Sequence, residues 1–476
     1  MAPMMPSLFS SQPLWARLCW ALLALILSYG VFAWPSLAAR WGVSTGGVAL
    51  LLAWFGAVAL AWMAGKRARL VPVILIVAVA ARLAAAALSA GRVSPGDPHS
   101  YLLLAEHLRA GTGLWIDEPY MGLRVVALYP PAYPLLLAGW SALFGVGALS
   151  LVVLGTLTDL ASAGVIASIG ARLGAPLAGR RAGLLALLWP VALFDAPLAQ
   201  KESLGVLLVL LLARLWLAER PAALALGAVA ALLALTQPGW APIAAMFGLA
   251  FGLRLGWVRL ARTGVLAGLA AALVMLPWWL RNAVLLGAFV PLTSAGGVSL
   301  WIGNHAGASG VWEPQPRAWH GLGELAYAAR AAAEAKAWML ANPIACLHLN
   351  LAKFLRATGA GDFALVRLAA MQPPLAPAIA ALCFPLLQGA QLALWGGSVF
   401  AARWREDPAL RAMLLLVAVG FAQILLVGVW FEFGERHRAF LTPLLLLLVA
   451  RAGERVRLTL PASARSPSSA TAVSSA

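Results

Sequence analysis

Residues 70–89 read LVPVILIVAVAARLAAAALS, an apolar run interrupted by one charge, Arg82. At about 20 residues it is long enough to cross, as a helix, a hydrocarbon layer roughly 30 Å thick. Lys66, Arg67 and Arg69 precede it, and SPGDPHS at 94–100 follows it. The run therefore joins a basic end to a polar loop that carries a carboxylate and a histidine.

Comparable runs lie near 17–34, 46–64, 149–171, 181–197, 203–218, 222–236, 239–255, 263–280, 377–400, 411–431 and 438–452. They predict an all-α polytopic membrane protein with about 12 transmembrane helices. The shorter runs are expected to reach the interface or to form hairpins. Composition agrees: 62% of the 476 residues are hydrophobic and only 11% are charged, with a mean hydropathy of +0.88. These values exclude a soluble enzyme and a disordered chain. The first run is read as a retained anchor, and the Ser- and Ala-rich end as a disordered tail.

The net charge of +17 is explained by topology. One side of the predicted membrane receives Arg17, Lys66, Arg67, Arg69, Arg172, Arg180, Arg181, Arg220, Arg254, Arg259, Arg262, Arg403, Arg405, Arg411, Arg451, Arg455, Arg457 and Arg465. Only Glu219, Glu406, Asp407 and Glu454 accompany them. Basic loops mark the cytoplasmic face, so nucleic acid is not needed as a partner while membrane lipid is. The alternation holds if the stretch 129–144, which opens YPPAYP, stays at the outer interface.

The resulting organisation is N-terminal transmembrane helices at 1–90, a first outer loop with interfacial helices at 91–148, and a transmembrane bundle at 149–280. A second outer loop at 281–376, C-terminal transmembrane helices at 377–452 and a cytoplasmic tail at 453–476 complete it. Cys19, Cys346 and Cys383 lie far apart, which implies neither a disulfide framework nor a zinc site. Arg82, Asp159 and Arg214 lie within spans and need a partner or a polar cavity, and Asp159 is read as one half of a structural pair.

All six histidines and most carboxylates fall in the two outer loops and near 432–438. Acid–base chemistry is therefore expected on that face. Asp97, in a Gly/Pro turn just beyond a span, is either the cap of the following helix or a general base held at the lipid surface. The segment Leu322–Leu340 is expected to be helical, with Glu324, Arg330, Glu334 and Lys336 as a solvated face.

The ordered set GDPHSYLLLAEHL (96–108), YPPAYPLLLAGWSALFG (129–145), ARLGAPLAGRRAGLLALLWP (171–190), LTQPGW (235–240), PWWLRNAVLLGAFVPLTSAGGVSLWIGNHAGASG (277–310) and FGERHRAFLTPLLLLL (433–448) resembles the integral-membrane GT-C glycosyltransferases. The likeness is to the superfamily of protein O-mannosyltransferases and the lipid A aminoarabinose transferase. It departs from that pattern in two extra spans before Asp97 and in having its acidic pair, Asp117 and Glu118, some distance on.

The resemblance implies transfer of a sugar from a polyprenyl-phosphate or diphosphate carrier to a glycan, glycolipid or protein acceptor. The implied place is the outer face of a bacterial inner membrane, and the implied acidic residue is Asp97. His99 and Tyr101 are read as orienting groups. Arg281, Arg436, His437 and Arg438 are read as cations for the leaving phosphate, with Lys201 and Glu202 at the carrier or paired to each other. Asn304 and His305 are expected in a glycine-rich turn lining the sugar pocket. Asp97, His99 and His305 could together take a divalent cation.

Two other functions fit the composition: a flippase for lipid-linked sugars, and a ligase or polymerase that uses the same carriers. The first predicts related halves and a midplane site. The second makes Asp97 dispensable.

Overall fold

The computed structural model describes residues 13–90, 92, 94–403 and 406–459. From the N-terminus come α1 (Leu14–Trp41), α2 (Thr45–Ala64), α3 (Val71–Ser89) and α4 (Asp97–Arg109). A small hairpin of β1 (Ile116–Glu118) and β2 (Leu123–Val125) follows. Next are α5 (Ala132–Phe144), α6 (Ala148–Arg172), α7 (Pro176–Leu187), α8 (Pro190–Asp195), α9 (Glu202–Trp216), α10 (Ala223–Ala234), α11 (Ile243–Gly252) and α12 (Trp257–Leu286). The chain then forms α13 (Ala295–Gly303), α14 (Glu324–Ala341), α15 (Pro343–Gly359), α16 (Phe363–Ala370), α17 (Pro377–Ala401), α18 (Pro408–Leu426) and α19 (Leu441–Thr459).

The helix starts follow local chemistry. The Ser44 hydroxyl accepts the Gly47 N–H at the head of α2, and the Asp407 carboxylate accepts that of Leu410 at the head of α18. Both satisfy donors that a first helical turn leaves open. Pro72 and Pro377 stand in the first turns of α3 and α17, where a missing N–H is harmless.

Seven helices among the described residues are long and apolar enough to cross a membrane: α1, α2, α3 with its preceding 3-10 turn, α6, α12, α17, and α18 with its following turn. The chain is an integral membrane protein. Of the remaining expected spans, 438–452 gives α19, with 19 residues, and the other four are shorter helices. Residues 181–197 are divided between α7 and α8 around Leu188 and Trp189, because Pro190 opens a new helix. The stretches at 203–218, 222–236 and 239–255 give α9, α10 and α11, with 15, 12 and 10 residues.

The apolar windows of α17 and α18 are 61% buried, against 11% for α12, so the first two stand at the centre and α12 at the rim. The last helix continues to Thr459, through the first part of the expected tail. The rest of that tail, with Arg465, and Arg405 of the preceding loop lie outside the described residues.

Charges within the bundle are partnered. Arg82 on α3 meets Asp159 on α6 at 2.5 Å, and Arg214 donates to the Ser168 hydroxyl at 2.5 Å. At the end holding the basic loops, Asp407 pairs with Arg451 at 2.9 Å and with Arg455. Glu454 pairs there with Arg451 and Arg181. This network ties α7, α18 and α19 together.

The two expected outer regions pack against each other through the hairpin and α4, α5, α13 and α14, around Tyr101, Leu104, Tyr133, Trp301, Trp319 and Tyr327. Glu324 departs from the solvated face expected of its helix. It is buried and accepts the Val126 and Ala127 N–H groups at 2.6 and 2.9 Å and the Ser294 hydroxyl at 2.5 Å. Arg330 and Glu334 do form an exposed pair.

Candidate active site

Gly96, at φ 73°, turns the chain into α4, a conformation that a side chain resists. Asp97 is thereby the first helical residue and Gly96 the cap, without a side-chain capping bond. The Asp97 carboxylate is free of the capping role and turns to two cations. Its Oδ2 lies 2.6 Å from Nη1 of Arg436 and 3.9 Å from Nζ of Lys201.

Arg436 sits in a 3-10 turn, Glu435–Arg438, directly before α19. Besides Asp97 it faces Glu432 at 3.5 Å and Glu202 at 4.0 Å. Lys201, just before α9, lies over the Tyr101 ring at 5.3 Å. Lys201 and Glu202 do not pair with each other; each reaches a different partner in the cluster. Residues from the head of α4, the α8–α9 junction and the turn before α19 thus meet at one point.

The electrostatics follow from this packing. Burial raises the Asp97 carboxyl, but the charges of Arg436 and Lys201 outweigh it and hold the group at about 2. Burial lowers Arg436, yet Asp97, Glu432 and Glu202 keep it above its ordinary range. Lys201 is lowered by burial against the pull of Asp97 and Glu202. Burial raises Glu432, assisted by Asp97 and opposed by Arg436. Tyr101 stays protonated, raised by burial and then by the Asp97 charge.

His437 is neutral. Burial and the charges of Arg436 and Lys201 push it well below its usual range. The Gly434 N–H donates to its Nδ1 at 2.9 Å, which leaves the proton on Nε2.

A cavity of about 1140 Å³, its opening included, begins beside this cluster. Glu202 and Arg436 line it where α9 and α19 begin, and α6 supplies a wall from Leu151 to Ile166. At 1.5 Å per residue that wall is about 22 Å long. Its walls include Leu154, Val206 and Trp189, and the Asp159 and Asp195 carboxylates that also face it are already held by Arg82 and Arg367. By contrast, both Glu202 oxygens and Oε1 of Gln200, beside the cluster, and Oγ of Ser162, further along α6, line the cavity and are buried without a hydrogen-bond partner among the described residues. Such groups are costly to leave open, and they mark where a ligand's polar atoms belong.

The other expected residues are placed as follows. His99 is exposed on α4. Arg281 donates to the carbonyls of Leu114 at 2.5 Å and Val126 at 2.8 Å and to Oδ1 of Asn282, so it fastens α12 to the segments on either side of the hairpin. Arg438 is buried and donates to the Ala357 and Ala360 carbonyls and to Glu435. Asn304 donates to the Leu300 and Trp430 carbonyls.

His305 stacks on Trp301 at 3.9 Å and faces Glu313 at 3.6 Å. It forms no donor group with Asp97 and His99. Among the described residues no three His, Cys, Asp or Glu side chains gather in a metal-holding group. With Arg436 and Lys201 against Asp97, the residues present do not fit a divalent cation there.

Two contributors escaped the sequence reading. Glu432 joins the charge cluster at i and i+4 from Arg436. Lys353 on α15 is fully buried and donates to the carbonyls of Gly303 at 3.0 Å and Phe431 at 3.1 Å. With the Asn304 bond and the Glu432 N–H to the Ser299 carbonyl at 2.8 Å, it pins residues 430–432 onto α13. Gly303 permits the approach, since a Cβ there would lie 2.5 Å from the Phe431 backbone. A lone lysine in the apolar frame NLAKFL was the one signal available.

Fold and site together define a polytopic helical membrane protein with a buried carboxylate–cation cluster at one end of an elongated cavity. No family model matches the chain, and no curated protein matches it. Among solved structures it is similar to the archaeal oligosaccharyltransferase AglB from Archaeoglobus fulgidus, in complex with an inhibitory peptide and a dolichol-phosphate. The identity is 14% and the TM-score 0.45, over 80% of this chain and 50% of that one. The chain thus spans about half the length of that protein.

Proposed function

We propose that the protein is a membrane glycosyltransferase of the GT-C type, moving a hexosyl or pentosyl group from a polyprenyl-phosphate carrier to a glycan, glycolipid or protein acceptor. The observation that carries this reading is the meeting of Asp97, Arg436 and Lys201 at one end of a membrane-embedded cavity. A lipid phosphate has two parts, an anionic head and an apolar chain. The two cations suit the head, and the α6 wall suits the first isoprene units of the chain.

The chemistry needs a proton acceptor and stabilisation of the leaving phosphate. Asp97 takes the proton from the acceptor hydroxyl as its oxygen attacks the anomeric carbon. The bond from that carbon to the phosphate oxygen breaks, and the phosphate leaves with the electron pair. Arg436, with its forked donors, and Lys201 receive the charge that develops on it. Glu202, Gln200 and Tyr101 hydrogen-bond the sugar hydroxyls. Displacement is direct, so the configuration at the sugar carbon inverts.

Arg436 is shared between Asp97 and Glu432. A phosphate drawing the guanidinium away raises the basicity of Asp97 when donor is bound. The cluster faces outward from the inner membrane of a bacterium, opposite the basic loops.

The test compares surface glycolipids and polysaccharides by mass spectrometry in null cells carrying wild type or Asp97→Asn at matched membrane levels. Loss of one sugar mass in both the null and the Asn variant supports transfer. Full restoration by Asp97→Asn removes Asp97 as the base and favours the ligase or flippase.

A further inference from the structure

A second cavity lies at the other end of α3, which at 19 residues places it about 28 Å from the start of the first outer loop. Its walls are formed by Val71 and Leu75 on α3, Leu160 and Ala163 on α6, and Leu184 and Leu187 on α7. It is an open groove of about 960 Å³, the solvent at its mouth included. Lys66 and Arg180 stand on its rim, and both are exposed.

Arg180 is held at the rim by a bond from Nε to the Gly65 carbonyl at 3.2 Å. Arg67 and Arg69 are exposed beside Lys66. None of these four cations forms an ion pair among the described residues, although Arg181, the next residue after Arg180, reaches Glu454.

The geometry points to a binding site for one anionic glycerophospholipid, its phosphate between Lys66 and Arg180 and an acyl chain along the α3–α6–α7 groove. Three observations fix that occupant. The rim is wholly cationic, so a zwitterionic headgroup, whose ammonium offsets its phosphate and meets like charge there, answers it less fully than an anionic one. The walls below are apolar, so a free phosphate or a soluble acidic peptide leaves them empty. From Arg180 to Leu187 the α7 wall descends about 10 Å, which takes the upper part of an acyl chain and keeps the head at the level of the basic loop. The site is independent of the Asp97 cluster and of the transfer reaction.

The experiment uses the full-length protein in detergent, titrated with phosphatidylglycerol or phosphatidylethanolamine and read by native mass spectrometry. Wild type is expected to retain one phosphatidylglycerol in preference to phosphatidylethanolamine. Lys66→Gln with Arg180→Gln, both exposed positions, is expected to weaken phosphatidylglycerol roughly 30-fold, from the loss of two near-surface cations. Leu75→Trp, which fills the groove and keeps every charge, is expected to weaken it as well.

Equal binding of the two lipids by wild type overturns the proposal, as does unchanged binding in the double glutamine variant. Unchanged binding in Leu75→Trp, with loss in the double variant, reduces the site to a rim without a groove and overturns it too. Thermal melting of each variant without lipid separates lost binding from lost folding.

Discussion

Nη1 of Arg436 stands 2.6 Å from Oδ2 of Asp97, across 339 positions of the chain. The contact joins the first residue of α4 to the turn before α19, and it brings the proposed proton acceptor and the proposed phosphate cation together.

Asp97→Asn keeps the size of the side chain and removes its basicity. Transfer is expected to fall about 10²- to 10⁴-fold, the usual value of a general base, while donor binding is retained. Single-turnover transfer and donor binding, measured on the same preparation, separate the two effects.

Arg436→Lys keeps a charge but loses the fork that reaches Asp97, Glu432 and a phosphate together. Donor affinity is expected to fall about tenfold or more, since a charge-assisted hydrogen bond is worth roughly 1.5–3 kcal/mol. A titration with polyprenyl phosphate reads it, and an unchanged affinity removes Arg436 from the phosphate site.

The pH dependence of stability follows from Asp97, whose carboxyl lies at about 2 against an ordinary 3.8. A depressed carboxyl contributes stability above its unfolded value, and the contribution disappears as pH falls through the folded value. Wild type is therefore expected to melt above Asp97→Asn at neutral pH and to lose that advantage between about pH 4 and 2. Melting curves of the two proteins that stay parallel over this range contradict the ion pair.

Lys353→Met removes two hydrogen bonds that hold Gly303 and Phe431. The carbonyls left behind in a buried place cost about 1–3 kcal/mol each. Thermal melting is expected to show this loss. Donor affinity is expected to fall too, because Glu432 and Arg436 ride on the loosened segment, whereas Lys336→Met, on the exposed face of α14, leaves both unchanged.

Much of this arrangement was legible in the chain. The run 70–89 fixed α3, and the turn at 94–97 placed Asp97 at its outer end, because Gly and Pro act locally. Arg436 and Lys201 were readable as cations at span ends. Lys353 and Glu432 were not, since their value lies in carbonyls and charges brought from distant segments, for which no spacing exists. Arg281 and Arg438 read as phosphate cations for the same reason: a sequence does not show that backbone carbonyls already hold their donors. Hydropathy alone did not show that the runs between 181 and 255 fold as the short helices α7 to α11, since it registers apolar residues packed on protein as readily as those facing lipid.

Binding of undecaprenyl phosphate and of the uncharged alcohol undecaprenol to the purified protein, in wild type and in Lys201→Gln with Arg436→Gln, tests the central claim most directly. The account predicts that wild type prefers the phosphate at least tenfold, roughly the effect of one charge-assisted bond, and that the preference disappears in the double variant while the alcohol binds both alike. Equal binding of the two lipids by wild type, or a phosphate preference that survives loss of both cations, would contradict it.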